Sequence, residues 1–267
     1  DDDLIEVYTF SREILQSGPV LYFSGAEGHE PLYHTIRAPL IAIAGINVAT
    51  VRWLAATCGL FSVLLTWAVG RRLFTREVGA LSGGLVAVSF WALMYSRVAI
   101  RHIAILPPLL VAIYWGWRQL QDDTPPPLAP LGIGLGTGAA LMTYYAGRLV
   151  PPLLLAALPL IGWKRLHLLS RPRRWRGEQT VRWKGYLLGI AGGLLLAAPM
   201  FWMIHQMSGS DARLSTVGIP LNALREGNLG PLLNTTWTTL GMFPATGAPE
   251  WLYNITGRPL FSWIGAA

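Results

Sequence analysis

Six apolar runs contain no Asp, Glu, Lys or Arg: roughly Trp53–Gly70, Val78–Tyr95, Ile103–Trp117, Leu128–Tyr145, Leu149–Trp163 and Gly185–Ile204. A core helix of a soluble protein turns a polar face to water every turn, and these runs have none. Each approaches the length a helix needs to cross a hydrocarbon core of ~30 Å, the fifth being short. The expected fold class is therefore all-α: a polytopic transmembrane helical bundle.

The remaining charges are sorted by side. Of 21 Lys and Arg, 12 fall in three connections: Arg71, Arg72 and Arg76; Arg118; and Lys164, Arg165, Arg171, Arg173, Arg174, Arg176, Arg182 and Lys184. These connections hold only four of the 14 acids, Glu77, Asp122, Asp123 and Glu178, which leaves nine basic and ten acidic residues elsewhere. An excess of Lys and Arg in short loops marks the cytoplasmic side. The N-terminal segment and residues 205–257 are then expected outside, and the protein in a cell inner or plasma membrane. The net charge of +7 does not point to nucleic acid, because the basic residues do not gather around aromatic stacking positions.

Residues 1–50 read as an outer segment with interfacial helices, 51–204 as six transmembrane helices, 205–257 as an outer loop, and 258–267 as the start of a further helix. Pro31–Ile46 is apolar but short and carries Arg37 and His34, with His29 just before it, which suits a helix lying in the interface. Gly45-Ile46-Asn47 is expected to end it. With no initiator Met and a last helix cut short, the chain reads as a fragment lacking a first helix and a C-terminal part. Cys58 is the one cysteine, so no intrachain disulfide is possible. Gly132, Gly134, Gly136 and Gly138 lie inside an apolar run with no preceding strand, and read as close helix packing rather than nucleotide binding. His167 and the Arg171–Arg176 cluster read as topology signals against anionic headgroups.

Polar residues collect at the outer ends of the runs: Asp2 and Asp3; Glu30; Arg97, Arg101 and His102; Tyr144, Tyr145 and Arg148; and Arg258. An arginine near membrane depth costs ~2.5–3.5 kcal/mol on insertion scales and needs a partner or a purpose. Arginine donors suit phosphate oxygens, and a carboxylate suits proton abstraction from a hydroxyl. Together they describe a site that transfers a group off a lipid-linked phosphate.

At these residues the chain resembles the polytopic GT-C glycosyltransferases, in particular the protein O-mannosyltransferase and aminoarabinose-transferase-like superfamily. The similar elements are Asp3 with Arg12-Glu13-Ile14-Leu15, Glu30-Pro31-Leu32, Gly70-Arg71-Arg72-Leu73-Phe74, Ser96-Arg97, Tyr144 to Arg148, and Asn254 to Pro259. The resemblance implies a GT-C-like bundle and an inverting transfer of a sugar from a polyprenyl-phosphate donor to a hydroxyl acceptor (lipid, glycan or protein) at the outer face. It implies that Asp3 or Asp2 is the general base. Asp1-Asp2-Asp3-Leu4 stands where relatives carry Asp-Glu, so spacing favours Asp3 and motif position favours Asp2. Glu30, Arg97, Arg101, His102, Tyr144, Tyr145, Arg148 and Arg258 would bind the donor phosphate or substrate. No metal ligands are assigned. His102 stands where many relatives carry a second acid, which disfavours a two-carboxylate site for a divalent metal and leaves no cofactor called for. A secondary transporter or lipid flippase, or a non-catalytic membrane assembly subunit, remains the alternative. Transporters usually place ionisable groups or broken helices near the bilayer midplane, and Pro107-Pro108 and Pro151-Pro152 are the candidate breaks.

Overall fold

A computed structural model describes residues 2–25, 28–98, 100–122, 124–166, 175–207, 218–247 and 255–259, with the side chains of 2–4, 6–7, 159–166 and 175–181 excluded. Asp1, Asp123, Asn254, His167, the basic cluster Arg171–Arg174 and the expected helix beyond Pro259 lie outside the described residues, as do the side chains of Asp2 and Asp3. The chain divides into two units, Asp1–Met207 and Ser208–Ala267.

The first unit is helical. Its elements are α1 (Asp2–Ser17), α2 (Leu32–Ala44), α3 (Val48–Leu73), α4 (Arg76–Val88), α5 (Phe90–Arg97), α6 (Leu106–Gln121), α7 (Ala129–Leu141), α8 (Val150–Leu166) and α9 (Trp175–Gln206). The single β-bridge among the described residues, Phe23 to His29, closes the loop between α1 and α2. In the second unit, α10 (Ile219–Arg225) and α11 (Gly230–Gly241) follow one another.

Local chemistry sets the helix boundaries. Gly45 ends α2 at φ +68°, and Asn47 then caps α3. The Asn47 side chain accepts from the Thr50 amide at 3.0 Å, while the Thr50 hydroxyl accepts from the Asn47 amide at 3.1 Å. This reciprocal capping satisfies two helix-end donors. Thr75 caps α4 through the Val78 amide. Pro107-Pro108 and Pro151-Pro152 break no helix. They stand in the first turns of α6 and α8, where a missing N–H costs nothing.

Small residues line the closest helix contacts, and many large apolar residues face outward. Leu60, Leu81, Leu85, Leu131, Leu153, Leu188 and Leu195 are exposed, as expected where the surrounding solvent is hydrocarbon. At the α7–α9 contact a Cβ on Gly193 would stand 2.6 Å from the Cβ of Thr137, and one on Gly189 2.8 Å from the Pro130 carbonyl oxygen. On the adjoining face of α7, a Cβ on Gly136 would meet the Pro108 oxygen of α6 at 2.6 Å. The glycine string thus lets α7 sit directly against both α6 and α9.

The six apolar runs become helices of unequal length. Val48–Leu73, Arg101–Gln121 and Arg182–Gln206 are long and apolar enough to cross a membrane. Arg76–Val88 and Phe90–Arg97 qualify only as a pair bent by 55°, and Ala129–Leu141 and Tyr145–Leu158 are shorter. The bend falls at Ser89, whose extended backbone (φ −62°, ψ 128°) interrupts the helix. α7 stops at Leu141 because Met142 leaves the helix to accept the Leu32 amide at 2.9 Å, tying the start of α2 to the end of α7.

The two ends of the bundle differ in charge pattern. At one end Asp122 bridges Arg72 of α3 and Arg118 of α6. The opposite end gathers the starts of α2, α6 and α8, and carries Glu30, Arg101 and Arg148. Along α6, which starts at Leu106, Arg118 lies roughly 18 Å of helix from that end.

Candidate active site

Three helix entries build the site. Glu30 immediately precedes Pro31, the residue that caps α2. Arg101 opens a 3₁₀ turn, Arg101–Ile105, that leads into α6, and Arg148 lies in another, Tyr145–Leu149, that leads into α8. In both cases the turn runs into a Pro-Pro pair, which fixes the helix start and therefore the place of the arginine before it. Helix N-termini carry partial positive charge, so the helix ends and the two guanidiniums act in the same sense.

Glu30 is the anion at their centre. It is 1% exposed and Arg101 is 4% exposed. Arg101 Nη1 donates to Glu30 Oε2 at 3.0 Å, and its Nη2 reaches the Gly28 carbonyl at 3.5 Å. Gly28 holds that carbonyl in place with φ +99°, and a Cβ there would lie 2.8 Å from Cζ of Tyr22, so only glycine fits. Arg148 Nη2 stands 3.8 Å from Glu30 Oε1, an ion-pair distance without a hydrogen bond. The Arg148 side chain is 28% exposed, and its buried Nε has no hydrogen-bond partner. Arg101 is thus anchored by Glu30, while Arg148 keeps donor capacity.

Aromatic rings support both cations. Arg101 lies 5.3 Å from the Tyr144 ring centre, and Arg148 lies 4.3 Å from that of Tyr145 and 5.7 Å from that of Phe201. The His102 ring centre is 4.3 Å from that of Tyr144. A desolvated cation over an aromatic face gains up to ~2 kcal/mol, which helps hold both guanidiniums in this low-dielectric setting.

Of the residues singled out from the sequence, the fold brings together Glu30, Arg101, His102, Tyr144, Tyr145 and Arg148. Arg97 is not among them. It is exposed on the last turn of α5 and forms no ion pair among the described residues. Arg258 belongs to the second unit, in a turn where its amide donates to the Ile255 carbonyl. The backbone of Asp2 and Asp3 forms the first turn of α1. Among the described residues no three of His, Cys, Asp and Glu are grouped as metal ligands.

Two features escaped the sequence reading. His29 Nδ1 and His34 Nε2 are 3.3 Å apart in a buried cluster with Phe10, Phe23 and Tyr33. The only sequence signal was two histidines flanking Glu30-Pro31. Arg37, expected as a mark of an interfacial helix, is 0% exposed and donates to the Val51 carbonyl at 2.8 Å. Burial lowers its pKa from the usual arginine value. The neighbouring Tyr33 phenol is pushed up to about 12, chiefly by burial, with the Arg37 charge opposing.

Residues 28–203, well over half of the chain and including Glu30, Arg101 and Arg148, match a family model described as dolichyl-phosphate-mannose-protein mannosyltransferase. The chain belongs to this family. It is a glycosyltransferase of the GT-C type and an integral membrane protein, as the resemblance implied. The matched stretch contains neither Asp2 and Asp3 nor Arg258. No curated protein and no solved structure matches the chain.

Proposed function

We propose that the chain carries the donor-phosphate site of an inverting glycosyltransferase, which moves a sugar from a polyprenyl phosphate to a hydroxyl acceptor at the extracytoplasmic face. The observation that carries this reading is the buried Glu30–Arg101 pair with Arg148 held loosely beside it. Glu30 neutralises and orients Arg101, and Arg148 offers its free donors to the lipid phosphate. Asp3, or Asp2, takes the proton of the acceptor hydroxyl. The acceptor oxygen forms a bond to the sugar anomeric carbon from the face opposite the phosphate. The bond from that carbon to the phosphate oxygen breaks, and its electron pair leaves with the lipid phosphate. Arg148 and Arg101 stabilise the charge that develops there.

Spacing to Arg12-Glu13 supports Asp3 over Asp2. The extracytoplasmic placement is supported by the basic residues at the other end of the bundle. Arg97 is proposed to meet substrate only from outside the Glu30 cluster.

The ionisable groups lie at helix entries rather than mid-span, which favours transfer over transport. The test is sugar transfer by the full-length protein in lipid, with radiolabelled polyprenyl-phosphate sugars. Asp3→Asn is expected to abolish turnover while leaving donor binding intact, and Asp1→Asn to change little. Wild-type rates for both Asp2→Asn and Asp3→Asn would overturn the assignment of the base. Turnover unchanged in EDTA is expected if arginines alone meet the phosphate charge, and a metal-dependent rate would replace that part of the mechanism.

A further inference from the structure

α1 packs on α2 and leaves a cleft of about 400 Å³ against the start of α3. Ile5 and Tyr8 line it from α1, and Val48, Val51 and Arg52 line it from α3. Spacings of three and four residues put each set on one face of its helix. Ile46 and Asn47, between α2 and α3, complete the lining, which is almost wholly apolar. Ile5, Ile46 and Val48 stay exposed despite their apolar side chains.

The polar groups of the α2–α3 junction are spent on the chain itself. The Asn47 side chain donates to the Ala44 carbonyl at 3.1 Å and accepts from the Thr50 amide, and the Thr50 hydroxyl donates to the Gly45 carbonyl at 2.8 Å. Arg52 differs. It is exposed at the rim of the cleft, and among the described residues it forms no ion pair and no side-chain hydrogen bond.

The length of α3 fixes the depth of that rim. Arg52 precedes Arg72 by 20 positions, about 30 Å of helix, which matches the thickness of a hydrocarbon core. Arg72 is held by Asp122 at the other end of the bundle, so Arg52 stands at the level of the lipid phosphates. Trp53, exposed beside it, is a residue type enriched at that level. An apolar cleft that opens at phosphate depth beside an unpaired cation matches an amphiphile with an anionic head and a hydrocarbon tail. A peptide segment would bring backbone polar groups that these walls cannot satisfy.

We propose that the cleft seats an anionic phospholipid of the surrounding leaflet, with its phosphate on Arg52 and part of one acyl chain between α1 and α3. The lipid then joins α1 to α3 where the side chains leave a gap. This seat is distinct from the site at Glu30: α2 lies between them, with Glu30 ahead of its first turn and the cleft beyond its last. The proposal stands independently of the transferase reading.

The experiment uses the full-length protein in phosphatidylcholine nanodiscs that hold a small fraction of phosphatidylglycerol or phosphatidylcholine carrying a diazirine on one acyl chain. The phosphatidylglycerol probe is expected to label residues 5–8 and 46–52 about fivefold more than the phosphatidylcholine probe at low salt. That preference should fade at 1 M salt, where charges are screened beyond about 3 Å. Arg52→Gln should remove the preference, and Val48→Trp should lower labelling by both probes because the new ring fills the cleft. Unlabelled phosphatidylglycerol should compete, and polyprenyl phosphate should not. Equal labelling by the two probes, or labelling spread evenly along the lipid-facing side of α3 to Leu60 and Phe61, would overturn the proposal. So would a preference that survives Arg52→Gln, or displacement by polyprenyl phosphate, which would mark a donor site instead. The wild-type comparison and its salt dependence decide the matter even where a variant does not fold. None of these readouts requires turnover, so failure of the transferase reading leaves them unchanged.

Discussion

Arg101 and Arg37 are both buried arginines near the same end of the bundle, and they are held in opposite ways. Arg101 has a carboxylate at 3.0 Å, a carbonyl and an aromatic face. Arg37 has one carbonyl, and its Nε and Nη1 find no hydrogen-bond partner. Arg37 fastens α2 to the first turn of α3, where Val51 lies, and among the described residues it forms no ion pair and lies 5.9 Å from the Tyr33 ring centre. Around Arg101 a second cation, a third helix entry and a row of rings assemble as well. Burial of charge therefore does not by itself mark the site here. The convergence of separate elements on one carboxylate does.

The largest expected effect lies on the Arg101 side. Glu30→Gln leaves a buried guanidinium without its counter-charge and should cost about 3–5 kcal/mol of stability, with sugar transfer lost. Adding Arg101→Met to that variant should recover much of the stability but none of the transfer. Thermal unfolding in detergent, read beside turnover, separates the two, and a double variant no more stable than the single one would break the contrast.

Next is an alkaline transition on the Arg37 side. The Tyr33 phenol titrates at about 12 in the folded protein against 10.0 ordinarily, so folding favours its neutral form. That contribution is fully present below pH 10 and is lost as pH rises toward 12, up to about 3 kcal/mol. Tyr33→Phe should flatten the pH dependence of unfolding in that window, and an unchanged slope would remove Tyr33 as its source.

Arg148→Lys keeps the charge but replaces a planar fork with a point charge. The donor KM should rise about tenfold, while stability changes by less than ~1 kcal/mol because the pair with Glu30 is loose and partly exposed. Donor titration of purified wild type and variant gives the comparison, and equal affinities would mean that Arg148 serves only the packing of Tyr145 and Phe201. The smallest effect belongs to Arg37→Met. Replacing an incompletely satisfied buried charge by an apolar chain of similar length should shift stability by no more than about 1 kcal/mol and leave transfer intact. A cost like that of Glu30→Gln would show that the two arginines are held alike after all.

Much of this was legible in the chain itself. The helices follow from charge-free runs, and their ends from Gly45, Asn47, Thr75 and the two Pro-Pro pairs, all of which act within a turn or two of where they stand. Glu30, Arg101, Tyr144 and Arg148 drew notice because polar residues at the ends of apolar runs are costly without a purpose. Local pattern did not separate Arg97 from Arg101. They are four positions apart, which on one continuous helix would put them on the same face. The chain instead leaves the helix after Arg97 and resumes as a 3₁₀ turn at Arg101, so one arginine stays exposed and the other enters the core.

The sequence by itself determined the membrane class, the helical segments and the set of polar residues at their ends, because hydropathy, capping and proline act over short stretches of chain. Only the tertiary structure decided which of those residues form the site. Glu30 meets Arg101 across 71 positions, and the glycine faces of α7 and α9, together with the bend at Ser89, determine how close the helix entries come. Such pairings depend on the packing of several helices at once, and no periodicity within a single run encodes them.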